Sequence, residues 1–296
     1  MSGPGGQESD GADQVTERRT PEEAFDAVAD ETRLSILRTL VEASDPLPFS
    51  ELRAEVGVAD SGRFNYHLDK LRDAFVRQTD GGDYEVTQAG QTIVGAIQAG
   101  RLTVGGTVGP TDVDGECSIC GGALTATYDG ALFSVDCVDC THTSIRYPVP
   151  PTVIEDNPES YPLAAWRYVL SRSAVMGSGF CHICAGDITT RLERDLPAMP
   201  ETIPVGLVRE CERCNLGMQT VPLVALLHEP RVQALFAAAD LDPRDEPPWQ
   251  SEWMYESTDT TIVDEDPLTV RVAITIGEAH LQLTLDTDGS IIEEDG

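Results

Sequence analysis

Four Cys-x-x-Cys pairs constrain the fold of this chain more than any other feature. The eight cysteines are Cys117, Cys120, Cys137, Cys140, Cys181, Cys184, Cys211 and Cys214. Each pair can present two thiolates from one tight backbone knuckle, and two knuckles complete a tetrahedral metal site. The spacing therefore predicts two metal centres, one from the first two pairs and one from the last two.

Zinc fits these pairs better than the alternatives do. Disulfides would be unusual in a chain whose polar start, MSGPGGQESDGADQ, lacks the apolar stretch of a secretion signal. An iron–sulfur cluster also takes four cysteines, but a hairpin between knuckles, predicted here around Asp129 and Gly130, favours a zinc ribbon. His142 and His182 could replace a cysteine ligand, although exposed histidines beside the sites are the simpler interpretation. We expect two structural zinc ions.

The excess of acidic residues indicates the kind of environment in which the protein works. The chain has 51 acidic and 20 basic residues, a net charge of −31, and Lys70 is its single lysine. An acidic surface poor in lysine suits a cytoplasm of very high salt, where repulsion between carboxylates is screened. No apolar run approaches the roughly 18 residues that a membrane span needs. The composition thus indicates a cytoplasmic protein of a halophile, most simply an archaeon.

The negative charge is spread unevenly along the chain. Residues 17–101 contain 10 basic and 16 acidic residues, a net of −6, whereas residues 102–296 contain 10 and 32, a net of −22. Phosphates repel carboxylates, so the front third is the part better suited to approach DNA.

An amphipathic helix is predicted between Ala59 and Arg72. Phe64, Leu68 and Leu71 recur at helical spacing and predict one buried stripe. The residues that we expect on the opposite, polar face are Arg63, Asn65, Tyr66, His67, Lys70 and Arg72. A DNA-reading helix needs cations for phosphates and hydrogen-bonding side chains for base edges. A solvated helix face has the same pattern, and the helix alone does not decide between the two.

Further helices are predicted before this one. Thr20 followed by Pro21 is typical of a capped helix start, and a leucine-rich helix comes next. Ser50 is a candidate cap for a short helix over 51–56, which Gly57 would end in a left-handed conformation.

A β-hairpin is predicted after the amphipathic helix at 59–72. Residues 75–79 and 84–86 have the composition of two strands, and Asp80-Gly-Gly-Asp83 has that of their turn. Thr87 can cap a last helix that ends at Gly100. Two helices joined by a tight turn and followed by a hairpin are the order of a helix-turn-helix with a wing.

The segments ADETRLSILRTL (29–40), FSELRAEVG (49–57), FNYHLDKL (64–71) and YEVTQAG (84–90) resemble those of an archaeal ArsR-type winged-helix transcriptional regulator. The resemblance covers residues 21–100. It implies a homodimer on double-stranded DNA, with the helix around Ile93 to Ile97 at the dimer interface, the recognition helix in the major groove and the wing on the backbone. Its base-reading positions fall on residues 63–70.

Two positions depart from the family pattern. Asp73-Ala74 stands where the family usually has a glycine after its recognition helix. The tip of the wing is acidic, which leaves Arg77, with Arg72, as the predicted phosphate contacts. The winged helix lacks cysteine, so a thiol-based metal sensor is not expected.

The fold class predicted is α+β and multidomain. An N-terminal winged helix-turn-helix precedes two zinc-ribbon-like metal sites and a C-terminal antiparallel β meander with helices. The meander is predicted from apolar residues that alternate with others at 270–276 and again at 281–285, which indicates a pair of strands. The predicted parts are a disordered tail (1–19), the winged helix (20–100), a linker (101–115), the first ribbon (116–150), and residues 151–296, which hold the second ribbon (177–220) and the meander. A connecting helix over 158–176 should bury Trp166 as a core anchor.

These features favour a sequence-specific DNA-binding transcriptional regulator whose acidic C-terminal module receives a signal or a protein partner. The alternative is a general transcription or assembly factor, because a winged helix joined to a zinc ribbon also resembles initiation factors that bind RNA polymerase. An enzyme is not expected, since the sequence lacks a phosphate loop, a nucleophile elbow and a three-ligand metal site with an open position.

Overall fold

The computed structural model describes residues 19–196, 199, 203–254 and 257–295. The chain divides into two compact units, Met1–Gln98 (unit 1) and Ala99–Gly296 (unit 2). Unit 1 combines helices with a two-stranded sheet, and unit 2 combines helices with three antiparallel sheets. The mixed α+β class predicted from the sequence is confirmed. Among the described residues, no helix is long and apolar enough to cross a bilayer.

Unit 1 begins with four helices whose starts are set by capping side chains. They are α1 (Pro21–Val28), α2 (Glu31–Glu42), α3 (Phe49–Val56) and α4 (Ser61–Leu71). Thr20 and Glu23 form a reciprocal capping box at α1, and the carboxylates of Asp30 and Asp60 cap α2 and α4. Each cap satisfies a backbone N–H that the helix itself leaves without an acceptor.

The start of α3 differs from the sequence prediction. The helix begins at Phe49 and not after Ser50, and its N-cap is Pro48, which makes no side-chain cap bond. The Phe49 ring instead packs edge-on against Phe64 at 5.2 Å between centroids, so packing rather than a hydroxyl cap fixes this helix start. Gly57 ends the helix with φ 76°, as predicted.

A hairpin and a fifth helix complete unit 1. β1 (Val76–Gln78) pairs antiparallel with β2 (Tyr84–Val86), and α5 (Gln88–Gln98) follows. Asp73 takes φ 68° after α4, a left-handed conformation that aspartate tolerates better than most residues. The chain therefore makes a left-handed turn after α4 without a glycine.

One apolar core holds unit 1 together. Phe64, Leu68 and Leu71 of α4 are fully buried, which confirms the stripe predicted from their spacing. They pack with apolar side chains of the other helices and of the hairpin, and the core includes Ile36, Leu37, Leu40, Leu52, Phe75, Val76, Tyr84 and Val94.

Unit 2 opens with a four-stranded sheet in the order β3-β4-β5-β6. The strands are β3 (Thr107–Val113), β4 (Leu124–Asp129), β5 (Leu132–Cys137) and β6 (Thr143–Pro148). The predicted linker at 101–115 is therefore wrong in part, because β3 lies within it and pairs with β4. Gly109 and Pro110 interrupt the pairing at a bulge of this edge strand, and they hide its alternation in the sequence.

Two helices lead to a second, three-stranded sheet. These are α6 (Pro151–Glu155) and α7 (Tyr161–Gly177), followed by β7 (Ile188–Arg194), β8 (Val205–Cys211) and β9 (Gly217–Thr220). The sheet order is β7-β8-β9. The predicted connecting helix is confirmed as α7, and Trp166 on it is 2% exposed and donates to the Pro243 carbonyl at 2.7 Å.

The C-terminal part forms a four-stranded meander behind two more helices. The helices are α8 (Pro222–Leu226) and α9 (Pro230–Ala238), and the strands are β10 (Thr258–Glu265), β11 (Leu268–Ile276), β12 (Ala279–Leu285) and β13 (Ile291–Asp295). The alternating residues of β11 and β12 are buried on one face, as predicted. The two outer strands extend the predicted pair to four.

A single core joins all three sheets of unit 2. Phe133 of β5 lies 6.2 Å from Trp249 between ring centroids, and Trp249 lies 6.3 Å from Trp166 of α7. Phe236 of α9 meets Trp253 edge-on at 5.5 Å. The cysteine-bearing sheets and the meander therefore pack as one body around these aromatic rings.

Candidate metal centres and the exposed face of helix α4

The first four cysteines converge at one end of the β4–β5 hairpin. Cys117 Sγ lies 3.7 Å from Cys140 Sγ, and Cys120 Sγ lies 3.5 Å from Cys137 Sγ. We call these four residues the first cluster. The knuckle that carries Cys117 and Cys120 is closed by two backbone hydrogen bonds. Cys117 N–H donates to the Gly122 carbonyl at 2.9 Å, and Gly121 N–H donates to the Cys117 carbonyl at 2.8 Å.

The second four cysteines repeat this arrangement on the β7–β8 sheet. Cys181 Sγ lies 3.6 Å from Cys214 Sγ, and Cys184 Sγ lies 3.5 Å from Cys211 Sγ. We call these four residues the second cluster. The residues after its two knuckles, Ala185 and Asn215, take φ 53° and 57°, and these left-handed turns allow each knuckle to fold back on itself.

The sulfur geometry suits a tetrahedral metal ion. In each cluster all four Sγ atoms lie within 4.8 Å of one another. Four sulfurs at a zinc–sulfur distance of about 2.3 Å would lie about 3.8 Å apart, whereas a disulfide needs about 2.05 Å. All eight cysteines are free. Both clusters can therefore hold a metal ion with four thiolates, as the spacing of the cysteines predicted.

The backbone around each cluster prepares one thiolate. Although burial opposes it, the N–H groups of Asp139 and Cys140 lower the pKa of Cys137 to about 7. The N–H groups of Cys214 and Arg213 lower the pKa of Cys211 to about 6. Because a metal binds thiolate and not thiol, these N–H groups favour the metal-binding form of Cys137 and Cys211.

The two histidines beside the knuckles are not part of the four-ligand groups in the described chain. His142 Nε2 lies 3.3 Å from Ser118 Oγ, and burial lowers the pKa of this histidine. His182 Nε2 lies 3.4 Å from Tyr147 Oη, and burial followed by the charges of Arg172 and Arg101 lowers its pKa to about 4. Both histidines are half-buried and not exposed as the sequence suggested.

Helix α4 exposes four of the side chains that the sequence placed on its polar face. Arg63, Asn65, Tyr66 and Lys70 are exposed, and Tyr66 retains 57% of its accessible surface. Asn65 donates to Asp69 at 2.8 Å, and the Lys70 ammonium lies 5.9 Å from the centroid of the Tyr66 ring. The face is thus polar, cationic and aromatic, and it is open to solvent in unit 1.

His67 does not belong to that face, and its predicted exposure is wrong. It is 8% exposed, and its Nδ1 lies 3.2 Å from Asp30 Oδ1 without the alignment of a hydrogen bond. The reason is helical geometry, because His67 is three residues after Phe64 and four before Leu71 and so lies beside the buried stripe. Its side chain connects α4 to the N-cap of α2.

Asp30 is held as a carboxylate by its neighbours. Against the effect of burial, the backbone N–H of Arg33 and the charges of His67 and Arg33 lower the pKa of Asp30. Arg33 also donates to the Asp26 carbonyl at 2.8 Å. The His67–Asp30 contact thus links α4 to the start of α2, and the Arg33 bond links α2 to α1.

The two predicted phosphate contacts flank this helix. Arg72 donates to Tyr84 Oη at 2.8 Å and lies 3.3 Å from Asp69, so its guanidinium is anchored against the hairpin. Arg77 on β1 is exposed and pairs across the hairpin with Glu85 at 2.5 Å. Both arginines remain accessible, but each already has a partner.

Unit 2 also contains a polar cluster that the sequence did not predict. Its members are Arg101, Tyr147, Tyr168, Arg172 and His182. They come from distant segments of the chain, and their spacing in the sequence has no motif that would bring them together.

Comparison with protein families matches both parts of the chain. The family model described as Domain of unknown function (DUF7351) matches residues 114–291, which is more than half of the chain. The model described as Domain of unknown function (DUF7347) matches residues 21–97. No curated protein and no solved structure matches the chain.

Proposed function

The chain belongs to the family described as Domain of unknown function (DUF7351), and we propose that it is a sequence-specific DNA-binding transcriptional regulator. The observation that carries the proposal is the exposed face of α4. Arg63, Asn65, Tyr66 and Lys70 project from a helix whose opposite stripe is fully buried. A recognition helix packs its apolar side into the core of its domain and exposes a polar, cationic side, and α4 has both features.

The surroundings of α4 support this role. Helices α3 and α4, joined by a short turn, have the order of a helix-turn-helix, and β1 and β2 stand where a wing would be. In the major groove, Arg63 and Lys70 would meet guanine or phosphate, and Asn65 would meet adenine. Arg77 and Arg72 would meet the DNA backbone. His67 would act indirectly, by holding α4 against Asp30.

The proposed regulator is a homodimer. Helix α5 would supply part of the dimer interface through its half-buried Ile93 and Ile97, whereas Val94 is buried in the core of unit 1. A two-fold dimer presents two α4 helices to one face of the duplex, so the operator should be a roughly palindromic site.

Unit 2 would be a module with two zinc ribbons. The four-thiolate chemistry and the sulfur spacing of both clusters suit zinc. Four protein ligands close each site, so the ions would have a structural role. The excess of acidic residues after position 102 argues against unit 2 holding DNA, and we assign to it the receipt of a signal or of a protein partner.

A general transcription or assembly factor is the second candidate. Apolar residues at the knuckle tips, Ile119, Val138 and Ile183, are each more than half exposed, and such residues suit contact with a partner protein. This candidate predicts partner binding through unit 2 and the absence of sequence-specific DNA affinity.

Selection of bound fragments from genomic DNA of the source organism, at molar KCl, tests the proposal. High salt suppresses non-specific phosphate attraction, so binding that survives depends on base or shape readout. Wild type should enrich one short, roughly palindromic site, and Arg63→Ala with Lys70→Ala should not. If wild type enriches no site, the regulator proposal fails and the second candidate takes its place.

A further inference from the structure

Five side chains of unit 2 form two contacting groups beside the second cluster, and Arg101 and Arg172 of one group are close enough for their charges to act on Tyr147 of the other. Arg101 donates to Tyr168 Oη at 2.6 Å, and the Arg172 guanidinium carbon lies 4.6 Å from the centroid of the same ring. Tyr147 Oη lies 3.4 Å from His182 Nε2. We call these five residues the cationic cluster. It draws on β6, α7, the knuckle at Cys181 and the segment that opens unit 2.

The cationic cluster has an excess of positive charge in an acidic unit. Five other arginines of unit 2 pair with carboxylates, namely Arg146, Arg167, Arg191, Arg194 and Arg244. Among the described residues, Arg101 and Arg172 form no ion pair, which is also true of Arg209, Arg213 and Arg271, but Arg101 and Arg172 share one partner, Tyr168. Two guanidinium groups at one phenol concentrate positive charge at this point of an acidic unit.

The cluster also has hydrogen-bonding capacity that the described residues do not use. Arg172 Nε and His182 Nδ1 are buried and have no hydrogen-bond partner within the described parts of the chain. Tyr147 is 6% exposed, and burial raises the pKa of its hydroxyl, which therefore stays protonated. Buried polar atoms without partners are costly, and an external acceptor would offset that cost.

Exposed apolar side chains flank the cluster in the sequence. Leu102 follows Arg101, Val175 lies one helical turn after Arg172, and Phe180 and Ile183 stand on either side of His182. Phe180 and Ile183 each retain 56% of their accessible surface, and Leu102 retains 72%. Apolar side chains that neighbour a polar site in the chain are candidates to contact the body of a ligand.

We propose that the cationic cluster binds an anionic small molecule that has an oxyanion head and an apolar body. Arg101 and Arg172 would hold the head, since guanidinium groups bind carboxylate and phosphate oxygens in a planar, two-pronged geometry. Tyr147 and Tyr168 would add hydroxyl donors. The flanking apolar residues would cover the body of the ligand.

Titration calorimetry on the zinc-loaded full-length chain tests this site. The probes are hexyl phosphate, hexanoate, inorganic phosphate and hexanol. Inorganic phosphate has only the head and hexanol only the body, so these two measure the contribution of each part. Comparison of hexyl phosphate with hexanoate distinguishes a phosphate head from a carboxylate head. We expect saturable binding of at least one of the two amphipathic anions, and weaker binding of inorganic phosphate and of hexanol. The stronger of the two anions then identifies the head group.

Variants locate the binding on the cluster. Arg101→Gln with Arg172→Gln should weaken the anion by about tenfold or more, because charged hydrogen bonds are lost. Tyr168→Phe keeps the ring under Arg172 and should cause a smaller loss. Arg167→Gln is the matched control, since Arg167 is adjacent to Tyr168 on α7, is exposed and pairs with Asp245, and it should bind like wild type. Each variant is compared at equal zinc content, so a folding defect is recognised separately.

Any one of three results would overturn the inference. The first is that neither amphipathic anion binds to the wild type. The second is that the double variant binds the anion as tightly as Arg167→Gln does, and the third is that hexanol binds as tightly as the anions. The inference does not rest on DNA binding, since every measurement is made without DNA. Its failure would therefore leave the proposed role of α4 unaffected, and the failure of that role would leave this site intact.

Discussion

The two units are stabilised by different means. Unit 1 lacks cysteine, and its helices close over one apolar core that contains the whole stripe of α4. Unit 2 has an apolar core as well, but it also has four-cysteine clusters at the ends of two of its sheets. The knuckles of these clusters lie at the ends of strands or outside them, and a metal ion would cross-link them. Unit 1 therefore should not need metal, whereas unit 2 should.

Removal of metal is expected to have the largest effect, and it should act on unit 2 alone. Structural zinc contributes on the order of 10 kcal/mol of folding free energy in small zinc domains. A strong chelator should therefore expose the backbone around both clusters and leave α2 and α4 protected. Hydrogen exchange read by mass spectrometry, segment by segment, measures both units in one sample.

Two outcomes of this experiment would contradict the comparison. Purified protein with far fewer than two zinc ions per chain would show that the clusters do not hold zinc. Equal loss of protection in both units after chelation would show that they do not differ in their need for metal.

The apolar core of unit 1 is the next point to test. Phe64 is fully buried, and Phe64→Ala should cost about 3–5 kcal/mol of unit 1 stability through lost burial and a residual cavity. Phe25 on α1 is 69% exposed, so Phe25→Ala is the matched control and should change stability by less than about 0.5 kcal/mol. Denaturant unfolding followed by hydrogen exchange in unit 1 gives both values. A similar cost for both variants would disprove the packing described for α4.

A fall in pH should unfold unit 2 before unit 1, and this difference is smaller than the one expected from removal of metal. Because a metal binds thiolate and not thiol, protons compete with the metal at every cysteine, so unit 2 should release metal and unfold as the pH falls into the acid range. The lowered pKa values of Cys137 and Cys211 oppose this loss, since a group with a lowered pKa keeps its stabilising charge to a lower pH. The pKa of Asp30 lies below its ordinary 3.8, so unit 1 keeps this carboxylate contact until the pH is lower still.

A stepwise acid titration measures this order. Zinc release is followed with a colorimetric indicator, and unit 1 is followed by hydrogen exchange at α2. Unfolding of unit 1 before zinc release would reverse the predicted order.

Much of this architecture could be predicted from the sequence because local rules govern it. The repeated Cys-x-x-Cys spacing located both four-cysteine clusters, and the spacing of Phe64, Leu68 and Leu71 located α4 and its buried side. Thr20 and Gly57 marked helix ends because capping depends on near neighbours. The alternation in β11 likewise marked a strand with one buried face.

The features that were missed depend on contacts between distant residues or on weak local signals. Gly109 and Pro110 concealed β3, whose existence depends on pairing with β4. The burial of His67 follows from its place beside the stripe and from Asp30, a residue of another helix. Arg101 and Arg172 are 71 positions apart in the chain and meet only through the fold.

The specificity of DNA binding tests the assignment of unit 1 most directly. The ratio of affinities for the selected site and for a scrambled duplex is measured at molar KCl by fluorescence anisotropy. Arg63→Ala with Lys70→Ala removes cations of α4, and Arg191→Ala with Arg194→Ala removes two exposed arginines of unit 2. A direct base contact contributes about 1–3 kcal/mol of discrimination. We predict that the ratio collapses toward one for the first variant and stays at the wild-type value for the second. A wild-type ratio retained by the first variant, or lost by the second, would contradict the assignment of DNA recognition to α4.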